Sequence, residues 1–442
     1  MKTKLSLISG AIMLPMLAAA QNQKPNILFI LADDLGYPEV SCNGFDLCKT
    51  PNIDRLAENG MRFTNGYTAP LSGPSRAMLQ TGRYPFRTGG TNQNAVGDMI
   101  TPQSEIFIPK VLNDAGYVTT AIGKWGQLPQ SAHAFGYHDW LLFKSSGVYW
   151  NYQKAGKSYD VNGTQVPLKD GEYLPDMMQK HLFEFLKKNR SKPFFVYYSL
   201  SHIHADILPT PDSKKETTDV NDLYVDNIVY MDKLVGQLME ELKRLNLFDN
   251  TMVIFMGDNG TAEHFADIAT IGGRRLAGEK GSMLEGGSLV PLIVQWPKVV
   301  KKGQVSHSLI VSTDLFPTFV AVAGAKMPKG VISDGVNFLP ILKGDNSNER
   351  KNFFMQLANM YYVRSKDYKL NEKGELYDMK NAPFEEILID PAKMTPKEVA
   401  AKKELQTELA RLNPKGGYID KGDGSGRNAN RANKKGKDNS DE

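Results

Sequence analysis

After its first 20 residues, the 442-residue chain lacks any apolar run long enough to span a membrane. It also lacks a charge excess. Of its four net positive charges, Lys2 and Lys4 supply two and the segment from residue 413 onward supplies two more, so the remainder is neutral. The sequence therefore predicts no membrane span and gives no reason to expect nucleic acid binding. An anionic ligand would have to be held by local cations.

Cysteine is scarce. Cys42 and Cys48 lie six residues apart and either close a short disulfide loop or remain two free thiols. The N-terminus carries Lys2 and Lys4, then an apolar stretch, then three alanines before residue 21. This pattern predicts a cleavable signal peptide over residues 1–20 and an exported protein, either periplasmic or secreted.

Apolar runs alternate with amphipathic segments along residues 21–336. The runs at 26–32, 194–198, 251–256 and 292–296 predict buried strands, and the segments at 53–59, 175–189 and 221–245 predict helices. This alternation indicates an α/β domain with a large, mostly parallel sheet sandwiched by helices. Shorter segments at 337–412 predict a smaller C-terminal α+β subdomain. The Gly-, Asn-, Lys- and Asp-rich residues 413–442 predict a disordered tail.

Acidic and amide side chains follow two of the predicted strands. Asp33 and Asp34 come directly after the first strand, and Asp258 and Asn259 follow the run at 251–256. Ligands of parallel sheets bind beyond the carboxyl ends of the strands, where these four side chains would meet. Oxygen ligands alone favour Ca²⁺ or Mg²⁺ over zinc. The alternative is that these residues cap turns or helices.

A serine motif lies between these acids. The segment SGPSR at residues 72–76, followed by TGR at 81–83, resembles the signature of the type I, formylglycine-dependent sulfatases of the alkaline phosphatase superfamily. The resemblance implies that a formylglycine-generating maturase oxidises Ser72 to formylglycine and that Arg76 stabilises this nucleophile. It also implies a metal site formed by residue 72 with the four strand-end residues Asp33, Asp34, Asp258 and Asn259. The family usually carries Ca²⁺, and Mg²⁺ is the second choice.

Two lysines and two histidines complete the resemblance. Lys124 in GKW and Lys280 in GEKG resemble family lysines that bind the sulfate group and assist catalysis. His202 and His204 follow the strand at 194–198. His204 fits the family position that contacts sulfate and protonates the leaving alcohol, and His202 is the second candidate for substrate binding.

One position departs from the family pattern. Many relatives have a histidine directly after GKW, where this chain has Gly126. The resemblance implies that this histidine acts as the base in the second step of the reaction. Either another residue replaces it, with His133 and His264 as candidates, or the chain manages without it.

The sequence thus indicates an exported sulfatase acting on sulfate esters of mucin-type or glycosaminoglycan-type carbohydrates. The alternatives are a phosphatase or phosphodiesterase that uses unmodified Ser72, and an inactive glycan-binding descendant. Specificity is expected in loops such as residues 143–166, where Tyr149, Trp150 and Tyr152 either stack on a sugar ring or pack internally.

Overall fold

The computed structural model describes residues 24–144, 146–153 and 157–427, so the predicted signal peptide and residues 428–442 lie outside the described part. The strands are β1 (Asn26–Ala32), β2 (Met61–Phe63), β3 (Gly66–Tyr67), β4 (Val118–Gly126), β5 (Asp139–Lys144), β6 (Ser158–Val161), β7 (Thr164–Pro167), β8 (Phe194–Ser199), β9 (Thr251–Gly257), β10 (Leu292–Gln295), β11 (Gln304–Ser306), β12 (Ile310–Val311), β13 (Asn352–Leu357), β14 (Met360–Ser365), β15 (Tyr368–Asn371), β16 (Leu376–Asp378) and β17 (Ile387–Leu388). The α-helices are α1 (Pro51–Glu58), α2 (Ser72–Thr81), α3 (Pro85–Thr88), α4 (Gln93–Met99), α5 (Ile108–Asp114), α6 (Leu174–Asn189), α7 (Val220–Arg244), α8 (Glu285–Ser288), α9 (Leu315–Val322), α10 (Leu339–Leu342) and α11 (Pro396–Leu412).

A ten-stranded mixed sheet organises the main domain, with strand order β11-β2-β10-β9-β1-β8-β4-β5-β6-β7. Its five central strands, β9, β1, β8, β4 and β5, are all parallel. The prediction of a mostly parallel sheet is confirmed there. It does not extend to β10, β6 and β7, which pair antiparallel with their neighbours. The run at 292–296 is therefore a strand, but it runs against β9.

Both faces of the central sheet are buried. Phe29 and Leu31 of β1 point into one apolar core, to which α2, α5 and α9 also contribute. Leu28 and Ile30 point into the second core, which α1, α6 and α7 cover. Burial on both faces explains why the central strands are continuous apolar runs rather than alternating ones. None of the helices in the described part of the chain is long and apolar enough to cross a membrane.

The smaller C-terminal unit is a five-stranded antiparallel sheet of β13 to β17 in chain order, packed against α11. It begins at β13 rather than at residue 337, because Phe338, Ile341 and Leu342 belong to the main core. Arg364 on β14 joins the units through a buried ion pair with Glu285 of α8, at 2.9 Å.

Two sequence expectations need correction or resolution. Residues 413–427, predicted to be disordered, are folded against both units, with Pro414, Asp420 and Gly426 buried. Cys42 and Cys48 are free, partly buried thiols. Burial raises the pKa of each thiol to about 12, so both remain protonated at neutral pH.

Candidate active site

The acidic residues meet because their strands are neighbours. β1 and β9 pair in parallel up to Ala32 and Gly257, so the residues that follow the two strands leave the sheet side by side. The Asp34 amide donates to Asp258 Oδ1 at 3.0 Å, with Asp34 in the left-handed region at φ 61°. Aspartate is one of the few residues that tolerate this conformation. The turn after β1 is therefore held to the turn after β9.

Ser72 is the first residue of α2 and is fully enclosed. Its Oγ lies 3.2 Å from Asp33 Oδ1 and in short contact with Asp258 Oδ2. Ser72 Oγ also accepts hydrogen bonds from Lys124 Nζ at 2.8 Å and from Arg76 Nε at 3.2 Å. A hydroxyl has one proton to donate and two lone pairs to accept with. Position 72 therefore stands between two carboxylates and two cations at a helix N-terminus, where negative charge is favoured.

Each carboxylate of the cluster has its own cation. Lys124 lies 2.7 Å from Asp33, Lys280 lies 2.6 Å from Asp34, and Arg76 lies 2.7 Å from Asp258. Three negative charges therefore face three positive ones. The structure brings together Ser72, Arg76, Lys124, Lys280 and the predicted acids, although these groups come from five separate parts of the chain.

Burial and charge oppose each other in the pKa values. Burial favours the neutral form of Asp33, but Lys124, His204 and Arg76 together outweigh it and lower its pKa. Burial likewise opposes the charge on Lys280, yet Asp34 and Asp33 raise its pKa. For Lys124 burial dominates over Asp33, and its pKa is lowered.

Sequence reasoning missed two residues that hold Arg76. Its Nη1 donates to the Tyr197 hydroxyl at 3.2 Å and makes a short contact with Ser199 Oγ, both on β8. Tyr197 and Ser199 are two residues apart on one strand and therefore share a face, and this spacing is the only sign of their common role in the sequence. Gly123 is also required, because a Cβ at this position would lie 1.8 Å from the Ser199 carbonyl oxygen.

The two histidines after β8 have different surroundings. His204 is partly exposed, and its Nε2 lies 3.7 Å from Asp34 Oδ2. His202 is fully buried among Tyr149, Tyr173 and Tyr230, with its Nε2 2.9 Å from the Tyr173 hydroxyl. Its Nδ1 is buried without a hydrogen-bond partner among the described residues, so a substrate-binding role for His202 stays a prediction.

Burial of His202 predicts an acid-sensitive fold. Burial lowers the pKa of His202 from 6.5 to about 3, so below pH 6.5 the unfolded chain binds a proton that the folded chain excludes. This contribution to the free energy of unfolding should fall by about 1.4 kcal/mol per pH unit from pH 6.5 toward pH 3. Denaturant unfolding of wild type and His202→Phe at pH 7, 6, 5 and 4 should show a shallower decline in the variant. His264→Gln, at an exposed position, should keep the wild-type slope, and equal slopes in all three proteins would contradict the prediction.

Gly126 lies at a bulge in β4 and has φ +80°. Among the described residues, a Cβ there would meet only Arg76 Cδ, at 3.8 Å, so the space beside this glycine is open. His133 is exposed and lies near His138, which bonds Thr119 at the beginning of β4, at the end of the strand opposite Lys124. His264 is exposed on a short helical turn. His133 is therefore not placed to substitute for a histidine at position 126.

The aromatic residues of the loop at 143–166 divide into packing and exposed groups. Tyr149 is buried, and its hydroxyl lies 2.9 Å from the Ser201 carbonyl oxygen and 3.0 Å from the His204 carbonyl oxygen, so its single proton is shared between these two acceptors. Trp150 is partly buried and stacks on Tyr152, with ring centroids 6.0 Å apart. Tyr152 is 66% exposed. Tyr149 thus contacts the turn that carries His204, whereas Tyr152 is exposed and Trp150 also packs on Tyr173.

The donor set fits a hard divalent cation. Carboxylate oxygens of Asp33, Asp34 and Asp258 lie within 4.8 Å of one another. Asn259 Nδ2 donates to Asp34 Oδ1 at 3.0 Å, while Asn259 Oδ1 is buried without a hydrogen-bond partner among the described residues. A buried carbonyl oxygen without a partner is costly unless something fills its acceptor role. Three carboxylates and this oxygen form a site of the kind that Ca²⁺ and Mg²⁺ prefer.

Comparison with known proteins agrees with this chemistry. The family model described as Sulfatase matches residues 25–325, and one described as N-sulphoglucosamine sulphohydrolase, C-terminal, matches residues 278–415. N-acetylgalactosamine-6-sulfatase of Homo sapiens is 35% identical over 367 residues, covering 76% of this chain and 69% of the human protein. An arylsulfatase of Hemicentrotus pulcherrimus is 28% identical, covering 78% of this chain and 67% of its own length.

Solved structures share the architecture. The crystal structure of Ps i-CgsB in complex with k-i-k-neocarrahexaose has a TM-score of 0.75 and 30% identity, covering 88% of this chain and 93% of that one. BT4656, in complex with its substrate D-glucosamine-2-N,6-O-disulfate, has a TM-score of 0.70 and 23% identity, covering 88% and 98%. The second likeness supports the fold alone.

Proposed function

This chain belongs to the sulfatase family, and from that premise we propose that it hydrolyses sulfate esters of carbohydrates with a formylglycine made from Ser72 and a bound divalent cation. One observation carries the proposal. The Ser72 oxygen contacts two carboxylates and accepts hydrogen bonds from Lys124 and Arg76. A hydrated aldehyde at this position supplies one hydroxyl to attack sulfur and a second that can lose its proton when sulfate is released. Forming it removes two hydrogens from Ser72, which requires an oxidising maturase as partner.

Arg76 and Lys124 would hold the attacking oxygen. Both donate to the same atom, and Arg76 is itself fixed by Asp258, Tyr197 and Ser199. Fixed donors that face developing negative charge need no rearrangement during the reaction, which is the main source of electrostatic catalysis. These two residues therefore support a nucleophilic role for position 72.

Lys280 and His204 are the partly exposed members of the cluster, so they would meet the substrate. The ammonium of Lys280 would bind a sulfate oxygen. His204 Nδ1 lies 2.5 Å from the Ala205 carbonyl, which keeps a proton on that nitrogen. The Nε2 of the protonated ring is then the atom that can give its proton to the leaving alcohol, and neutral His204 remains.

Asp33, Asp34, Asp258 and Asn259, with residue 72, would hold the cation, for which we propose Ca²⁺ with Mg²⁺ as the second choice. The negative charges of Asp33, Asp34 and Asp258 are balanced by the positive charges of Lys124, Lys280 and Arg76. A divalent ion would therefore give the site a net positive charge. That charge favours a sulfate ester, which is an anion, over a neutral sugar.

Carbohydrate is the proposed substrate class because the matched relatives include an N-acetylgalactosamine-6-sulfatase and a structure holding k-i-k-neocarrahexaose. Sulfated mucin-type or glycosaminoglycan-type glycans fit this class. The predicted signal peptide supports a periplasmic or secreted location. The exposed ring of Tyr152, which stacks on Trp150, supports stacking on a sugar ring.

The test is release of inorganic sulfate by protein co-expressed with a serine-type maturase. A panel of position-defined sulfated monosaccharides and disaccharides should include substrates that release sulfate, while the matching phosphate esters react far more slowly. Faster hydrolysis of the phosphate esters would favour a phosphatase instead. Saccharide binding without release of either anion would favour an inactive glycan-binding protein.

A further inference from the structure

The segment after α11, residues 413–427, forms a C-terminal strap that runs across the main domain. It leaves α11 at Asn413 and passes Phe86, whose carbonyl accepts the Tyr418 amide at 2.8 Å. Its last described residue, Arg427, donates from Nη2 to the Lys280 carbonyl at 3.1 Å. The strap therefore connects the C-terminal unit to the segment that carries Lys280.

Asp420 anchors the middle of the strap. Its buried Oδ1 accepts from Thr91 Oγ1 at 3.1 Å and, in a short contact, from Asn92 Nδ2. Its backbone also pairs with the Asn359 side chain in both directions, at 2.9 Å each. A buried carboxylate with several donors holds a fixed position.

The end of the strap is fixed relative to Ser72. Gln93 contacts both the strap and the residue after Ser72. Its backbone N–H donates to the Gly426 carbonyl at 3.1 Å, and its side-chain Oε1 accepts from the Gly73 backbone N–H at 2.5 Å. Gly426 has φ +72°, and a Cβ there would lie 2.5 Å from Leu357, so this position requires glycine. The geometry holds Arg427 one residue beyond a tightly packed glycine.

The Arg427 guanidinium lies beside the backbone of Lys280 and has donors that the described residues do not use. Its side chain is exposed, and within residues 24–427, gaps aside, the guanidinium makes one hydrogen bond, to the neutral Lys280 carbonyl. Across residues 24–144, 146–153 and 157–427, none of the ion pairs includes Arg427. Lys280, whose carbonyl it contacts, places its own ammonium 2.6 Å from Asp34. The neighbouring Gly281 amide bonds the Pro70 carbonyl at 2.9 Å, two residues before Ser72.

We propose that Arg427 binds a second anionic group of the substrate, next to the sulfate that is hydrolysed. This inference rests on the proposed function. Arg76, Lys124 and Lys280 are each paired with a carboxylate, whereas Arg427 belongs to none of the ion pairs among the described residues. A planar guanidinium forms paired hydrogen bonds with either a carboxylate or a sulfate. The substrate class is therefore a sulfated saccharide that carries a further sulfate or a uronic acid.

The test compares Arg427→Gln with the wild type on three substrates: a monosulfated sugar, the same sugar with a second sulfate, and a monosulfated disaccharide containing a uronic acid. A charged hydrogen bond of this kind corresponds to about 10- to 100-fold in binding. We expect kcat/KM to fall by that factor, through KM, on one or both of the doubly charged substrates. On the monosulfated sugar it should change less than about twofold. The substrate that shows the fall identifies the anion.

Two further variants separate position from charge. Asp420→Ala releases the strap without touching Arg427 and should reproduce the selective rise in KM with kcat retained. Arg411→Gln is the matched control, because Arg411 is an exposed arginine of α11 paired with Glu408. It should leave all three substrates unchanged.

The two proposals fail in different ways. If the wild type hydrolyses the sulfated sugars but Arg427→Gln loses nothing, or loses equally on all three, the role of Arg427 is overturned and the sulfatase proposal stands. If the wild type hydrolyses no sulfate ester, calorimetric binding of the same sugars still decides. Weaker binding of the doubly charged sugars by Arg427→Gln alone supports the Arg427 site, and equal binding rejects it.

Discussion

Replacing Ser72 with alanine should abolish sulfate-ester hydrolysis, with a loss of about 10⁴-fold or more, because the variant has neither a hydroxyl nor an aldehyde to attack sulfur. Peptide mass spectrometry of wild type co-expressed with a serine-type maturase should show a peptide containing residue 72 that is lighter by two hydrogens. Activity measured across preparations should rise in proportion to the fraction of modified peptide.

Ser75 provides a matched control for Ser72. It lies in the same motif, is buried in the same helix, and its Oγ has no hydrogen-bond partner among the described residues. Ser75→Ala should therefore keep the modification at Ser72 and most of the activity. Full sulfatase activity in a preparation shown to be unmodified would refute the formylglycine mechanism and return the reaction to serine itself.

Replacing Asp258 with asparagine should remove both the bound cation and at least about 10³-fold of the activity. Asp258 contacts Ser72, Arg76 and the Asp34 amide at once. Losing its charge weakens the donor set and leaves Arg76 without its counter-ion. The direct readout is calcium content and calcium titration of the wild type and Asp258→Asn without substrate, where turnover plays no part.

Thermal unfolding gives an independent measure of the same site. Calcium at about 100 times its dissociation constant should stabilise the parent protein by about 2.7 kcal/mol and should leave Asp258→Asn unchanged. Asp139→Asn is the control, because Asp139 is a partly buried aspartate that pairs with His181 at the first residue of β5. Stoichiometric zinc in active protein, or full activity without any metal, would reject the assignment.

The sequence was most informative where chemistry and strand pattern coincide. Asp33 and Asp258 follow the two most apolar runs, so their meeting could be predicted from parallel pairing alone. Lys280 could not be predicted this way, because it lies in a loop with no periodic pattern, and only the resemblance to a family identified it. Its contact with Asp34 depends on how that loop folds back over the sheet edge.

Other features depend on contacts that a local pattern does not encode. His202 and His204 are chemically alike and two residues apart, and the turn after β8 buries one and exposes the other. The strap has the composition of a disordered segment, yet Asp420 and Gly426 hold it through a few specific contacts. The reversed direction of β10 is likewise set by long-range pairing rather than by its own residues.

The burial of Ser72 determines when, relative to folding, this residue can be oxidised. Ser72 is 1% exposed and every residue of α2 is buried, so this segment is not accessible for binding by a second protein once the fold has formed. Under the proposed function, oxidation must then happen on the nascent or still unfolded polypeptide. A molecule that folds before it meets the maturase keeps its serine for as long as it stays folded. The fraction of active enzyme is thus set by the relative rates of Ser72 oxidation and folding during biosynthesis. Adding the maturase afterwards should not activate molecules that have already folded.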